Sequence, residues 1–112
     1  MIMRQSATAT VELNTEWRGK FTAEPFEVAW ASEAIYFIRA LESEGVPGGV
    51  NARVQISPDG MHWCDEGTLV PLPSAPGTAY ARVTHFGGWL RLEGELPNGA
   101  HMKVIVHLVL KS

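Results

Sequence analysis

Hydrophobic and polar residues alternate with a period of two along nearly the whole chain, the spacing of strands that bury one face. Thr10-Val11-Glu12-Leu13-Asn14 alternates, with Val11 and Leu13 expected to turn inward. Phe26-Glu27-Val28-Ala29-Trp30 places Phe26, Val28 and Trp30 on one face, and Trp30 is expected in the core together with Trp63. From Ala34 to Leu41 both faces are apolar, Ile35, Phe37 and Leu41 on one and Tyr36 and Ile38 on the other. A strand apolar on both faces lies in the middle of a sheet or under a partner. Glu33 to Glu44 holds enough Ala, Leu and Glu for a helix to compete. Its β-branched and aromatic density, with Gly45 following, favours a strand.

Turn chemistry separates these runs. Val46-Pro47-Gly48-Gly49 is a loop by composition. Ala52-Arg53-Val54-Gln55-Ile56 then alternates, Ser57-Pro58-Asp59-Gly60 turns, and Met61-His62-Trp63-Cys64 is expected to return as the second strand of a hairpin. Pro58 suits the first central position of a type I turn and Asp59 the second, while Gly60 supplies a left-handed residue. Leu69-Val70-Pro71-Leu72-Pro73 carries two prolines and so reads as an edge strand or an irregular connection. Three further strands follow at Ala79–Thr84, Trp89–Leu96 and Met102–Lys111, the last two expected to form a hairpin through Pro97-Asn98-Gly99.

About eight short strands with turns between them predict an all-β fold, an antiparallel β-sandwich or jelly roll. The 112 residues suffice for one domain and its core, without a linker or repeat. The first twenty residues either join the sandwich or reach out as an N-terminal arm. With 46% apolar and 19% charged residues the composition is that of a folded protein. The net charge of −3 and the lack of any Lys/Arg run argue against nucleic acid as a partner. The most apolar run, Val104 to Leu110, is interrupted by His107 and too short to cross a bilayer as a helix, so no membrane partner is expected. Met-Ile-Met-Arg-Gln-Ser at the start lacks the apolar stretch of a signal peptide, which gives an expectation of cytoplasmic synthesis without a leader.

Candidate chemistry is sparse. Cys64 is single, which rules out an internal disulfide. His62 shares its strand face, and the pair would make a nucleophile and base only with a third, orienting group. His101 and His107 would lie about 20 Å apart along a strand at about 3.3 Å per residue, too far to share an ion. Glu42, Glu44, Asp65, Glu66, Glu93 and Glu95 fall at strand ends or on outward positions, where a solvated face is the plainer reading than a carboxylate pair. No nucleophile elbow, phosphate loop or dinucleotide fingerprint is present. The expectation is a protein without enzymatic activity, metal or cofactor.

Two features point to a surface instead. If Val104, Val106, Leu108 and Leu110 face inward, Lys103, Ile105, His107, Val109 and Lys111 face outward, and Ile105 and Val109 are apolar for a strand face in water. Such positions call for a covering partner, and a homo-oligomer is expected. Alternation on the neighbouring strand puts Leu90, Leu92 and Leu96 inward and Trp89, Arg91, Glu93 and Glu95 outward, so Trp89 joins the interface candidates. Trp17 sits in the polar stretch Asn14 to Lys20 and is expected to be exposed. With Trp89 and Tyr80 it forms the candidate stacking platform for a glycan, which makes carbohydrate binding the alternative function.

Val54-Gln55-Ile56-Ser57-Pro58-Asp59-Gly60-Met61-His62-Trp63 resembles the V-x-x-S-x-D-G-x-x-W hairpin of small β-sandwich structural proteins of tailed phages and prophages. The likeness spans Ala52 to Leu110; residues 1–49 match nothing comparable. It differs from the sialidase Asp-box, because Asp59 and Gly60 are adjacent here. The resemblance implies a virion component, of head-decoration or tail-associated type and often trimeric, working inside a larger protein assembly. On that likeness Pro58, Asp59, Gly60 and Trp63 carry the hairpin rather than chemistry.

Overall fold

The computed structural model describes residues 5–112, and all their regular structure is β. The strands are β1 (Ser6–Arg18), β2 (Lys20–Thr22), β3 (Phe26–Glu27), β4 (Glu33–Glu44), β5 (Asn51–Ser57), β6 (Cys64–Pro71), β7 (Gly77–Thr84), β8 (Trp89–Glu95) and β9 (His101–Lys111). They form two antiparallel sheets. The first has the order β1-β9-β4-β7; the second has the order β2-β8-β5-β6, with β3 following β2 along the same edge of β8. The fold is the sandwich that the alternation implies, with one strand more than the turn count suggests.

The core lies between the sheets. Met102, Val104, Val106, Leu108 and Leu110 of β9 and Ala34, Tyr36, Ile38 and Ala40 of β4 meet Leu90 and Leu92 of β8, Ala52 and Val54 of β5, and Val70 of β6. Strand β4 is central, paired with β9 on one side and β7 on the other. That explains its apolar run, because a residue flanked on both sides is covered from two directions. At one end Trp17 and Phe21 stack with centroids 3.9 Å apart and planes 13° from parallel. Phe21 lies opposite Gly94 of β8, and a Cβ there would sit 2.6 Å from the ring Cζ.

Several expectations are corrected. Trp17 is buried, not exposed, because it lies near the end of β1 on an inward position where Phe21 stacks on it. Trp30 is 42% exposed rather than core, and Trp63 is half-buried beneath the Arg91 guanidinium rather than in the core. The chain leaves β3 after Glu27 and turns at Ala29-Trp30, with Ala31 N–H donating to the Val28 carbonyl at 3.0 Å, so the alternation ends before Trp30. Leu13 is 66% exposed because β1 slips register twice against β9 and Asn14 adopts φ 53°. The return strand of the central hairpin starts at Cys64, where Ile56 finds its partner, and not at Met61. Pro97-Asn98-Gly99 is not a hairpin turn. It carries the chain from the second sheet to the first, with Leu96 and Ala100 both buried on either side of the corner. Residues 6–18 belong to the sandwich rather than to a free arm, and residues 1–4 lie outside the described residues. The proline-bearing segment does form an edge strand, ending at Pro71.

Candidate interaction surface

Burying alternate residues of the first sheet leaves the other set outside, and strand register decides which of them become neighbours. Val109 of β9 is opposite Thr8 of β1 and Ile35 of β4, and Ile35 is in turn opposite Arg82 of β7. One step along, Thr10, His107, Phe37 and Tyr80 form the next row. The row after it holds Ile105, Arg39 and Thr78. The outer face therefore carries an apolar patch of Ile35, Phe37, Tyr80, Ile105 and Val109 with His107 among them. Phe37 and Tyr80 rings are tilted against each other at 5.9 Å, and the Arg82 guanidinium lies 5.3 Å from the Tyr80 centroid. Tyr80 is 51% exposed; the others are half-buried by their row neighbours. Glu33, Arg39, Lys103 and Lys111 surround the patch, the polar rim that interface patches carry.

Ile105, His107 and Val109 thus share the outer face of β9, while Trp89 is not among them. It belongs to β8 in the second sheet, half-buried, with its ring under Gly60. The three stacking candidates are scattered: Trp17 in the core, Trp89 beneath a loop, Tyr80 on the first sheet. Ile35 and Phe37 are the patch residues that sequence reasoning missed as site residues. Their signal was present in the two-sided apolarity of β4, but only the register shows that they share a face with Tyr80 and Val109.

The outer face of the second sheet is different in kind, because its polar groups bind one another. Gln55 accepts from Arg91 Nε at 2.8 Å and donates to Asp65 at 2.9 Å. Arg53 pairs with Glu93, and Arg91 stacks on Trp63 at 4.3 Å. The 57–63 loop is organised by two side chains. Buried Ser57 Oγ accepts from Asp59 N–H at 3.2 Å and Gly60 N–H at 2.8 Å and donates to Asp59 Oδ1 at 3.0 Å. Asp59 Oδ1 accepts from the N–H groups of Met61 at 2.8 Å and His62 at 2.9 Å, while Oδ2 meets His62 Nδ1 at 2.7 Å. Hydrogen bonds from the His62 backbone and ring, then from Met61 N–H, hold the Asp59 carboxyl well below the usual carboxylate range. Gly60 has φ 79°, and a Cβ on it would stand 3.1 Å from the Trp89 ring, so both conformation and space call for glycine. His62 thus turns its ring to Asp59, whereas the exposed Cys64 reaches the Ile56 carbonyl at 3.8 Å.

The chain is thus a two-sheet antiparallel β-sandwich whose second sheet pairs its outer polar groups with one another, beside exposed Leu69, and whose first sheet carries an apolar patch. No protein-family profile matches it, and a search of curated proteins finds no relative. Among solved structures it is similar to the SPBc2 prophage-derived protein YomS, with a TM-score of 0.56 at 8% identity over 100% of this chain and 97% of that one. FlhE overlaps more loosely, with a TM-score of 0.40 at 16% identity, covering 97% of this chain and 95% of its own. The likeness to YomS extends over both whole chains and is one of fold; a prophage-derived protein shares this architecture.

Proposed function

We propose that this chain is a non-enzymatic assembly module of a virion or phage-like particle, of decoration or tail-associated type, that binds neighbouring subunits through the outer face of the β1-β9-β4-β7 sheet. The carrying observation is the register that gathers Ile35, Phe37, Tyr80, Ile105 and Val109 into one patch. The prophage origin of a protein with the same fold supports the setting. Covering each half-exposed apolar side chain stabilises by roughly 1 kcal/mol, part of the full-burial value. Five such residues only just offset the entropy of association, about 4 kcal/mol or more. One contact of this kind is weak, and repeated in a lattice it becomes firm through avidity. Carbohydrate binding is the weaker reading, since of the three stacking candidates Trp17 is buried, Trp89 lies under Gly60 and Tyr80 alone is exposed, so they form no common platform.

The test is the mass in solution of the wild type and of Phe37→Thr/Ile105→Thr, which keeps β-compatible residues on the face. A discrete oligomer that becomes a smaller folded species in the variant supports the proposal. An unchanged mass in the variant, or a monomeric wild type at high concentration, counts against self-assembly through this face.

A further inference from the structure

We infer that β7 is a pairing edge that takes the β7 strand of a second copy, joining two four-stranded sheets into one. This goes beyond the assembly proposal, because it concerns the sheet's edge rather than its face and can stand or fall separately.

A sheet edge exposes unpaired N–H and C=O groups, and folded proteins protect such edges with prolines, bulges, charges or short strands. Three of the four edges here carry those devices. Strand β6 carries Asp65-Glu66 near its start, bulges at Gly67 with φ 112°, slips register against β5 and ends on Pro71. Strands β2 and β3 have three and two residues, with Pro25 between them. Strand β1 slips register twice, and its Glu12 side chain ties down the backbone of Glu24 at 2.9 Å.

Strand β7 carries none of these. Its eight residues pair with β4 from Glu33↔Thr84 to Ala40↔Gly77 with no slip, no proline and no bulge. Its one charge, Arg82, is drawn over Tyr80. Ala79 and Ala81 share the side of the strand that buries Val83, yet remain half-exposed.

The occupant is a second copy because the strand complements itself. An antiparallel pairing about a two-fold axis at Ala81 sets Tyr80 opposite Arg82 of the partner subunit and Thr78 opposite Thr84 of the partner subunit. The only charge then meets an aromatic face instead of its own copy, across the distance that directly opposed side chains span. Such closed two-fold contacts are self-limiting, so the pairing stops at a dimer. The Phe37–Tyr80 row continues across the axis, which doubles the apolar face.

The experiment is sedimentation equilibrium of the full chain up to about 1 mM, which detects even millimolar pairing. Wild type is expected to approach twice the monomer mass. Ala81→Lys puts two ammonium groups on the axis and is expected to stay monomeric with an unchanged circular dichroism spectrum. Should that variant not fold, Tyr80→Thr removes two symmetric ring contacts and is expected to weaken pairing roughly ten-fold. Thr78→Glu/Thr84→Lys sets opposite charges across the axis and is expected to remain dimeric, with salt weakening it. A wild type monomeric throughout, or a dimer indifferent to Ala81→Lys or to Tyr80→Thr, overturns the edge assignment. A dimer lost only in Phe37→Thr/Ile105→Thr overturns it while sustaining the face proposal; a dimer lost in Ala81→Lys but kept in Phe37→Thr/Ile105→Thr does the reverse.

Discussion

Gly94→Ala tests whether the end of the core is packed as tightly as the Trp17–Phe21 stack indicates. A methyl group at position 94 would lie 2.6 Å from Phe21 Cζ and 3.0 Å from Cε2, against the 3.5 Å or more that carbon atoms prefer. The ring must therefore retreat by about 1 Å. It has little room to do so, because it is stacked on Trp17 with centroids 3.9 Å apart, and Trp17 is itself only 2% exposed. Inserting a methyl into a filled core costs about 1–3 kcal/mol. Relief of glycine's backbone entropy returns about 0.5–1 kcal/mol, since no left-handed φ restricts position 94. The net loss is about 1–2 kcal/mol, which lowers Tm by roughly 4–15 °C in a domain of this size. Urea melts followed by Trp fluorescence measure it, and Phe21→Leu supplies the control: in a double-mutant cycle Gly94→Ala should be much less harmful once the ring is gone. A Gly94→Ala protein as stable as wild type, or losses that simply add in the double mutant, would refute the reasoning.

Removing the Tyr36 hydroxyl should not harm the protein. Tyr36 is fully buried, its hydroxyl has no hydrogen-bond partner among the described residues, and burial pushes its pKa upward. Tyr36→Phe is therefore expected to unfold at an equal or higher urea concentration, by up to about 1 kcal/mol; a clear loss would mean that the hydroxyl is bonded. Asp59 should make the 57–63 loop acid-sensitive. Its folded pKa is lowered from 3.8, so the stability it adds is complete above that value and is lost as pH falls toward the folded one. Thermal melts of wild type and Asp59→Ala should differ at pH 7 and converge in acid; a gap that persists at the lowest pH would show that charge is not the cause.

How much of this was legible in the sequence depends on whether a residue's place is set locally or by a partner far along the chain. Lys103, His107 and Lys111 mark one face of β9 as polar, and that assigns Val104, Val106, Leu108 and Leu110 to the buried face. The Ser57–Gly60 turn was readable because Ser, Asp and Gly each act within three residues. The turn's length was not readable, because Asp59 holds Met61 and His62 in the loop and delays the return to Cys64. Trp17 misled because its polar neighbours suggested solvent, whereas its burial depends on Phe21 and on a glycine 77 positions later, at Gly94. Pro97-Asn98-Gly99 has hairpin chemistry, but turn residues only reverse the chain. Whether the next strand pairs in the same sheet is settled by β1 and β4 competing for β9.

The same distinction explains why the apolar patch matters more than any single residue in it. Isolated apolar positions on a strand are common and carry no message. Five of them brought into adjoining rows from three strands require the register of β4 with both of its neighbours. That register is already fixed by the core face, where Tyr36 meets Leu108 and Ile38 meets Val106. A one-residue slip would turn the core residues outward, so the outer rows cannot be rearranged without dismantling the inner ones. The second sheet is built by the same rules and places Arg91, Gln55, Asp65, Arg53 and Glu93 outward, where they satisfy each other. The two sheets thus present different outer faces, paired polar groups on one and an apolar patch on the other, and under the assembly proposal that asymmetry would give a subunit a direction. A subunit that buries its first sheet and the β7 edge leaves the 57–63 loop and the polar second sheet facing solvent.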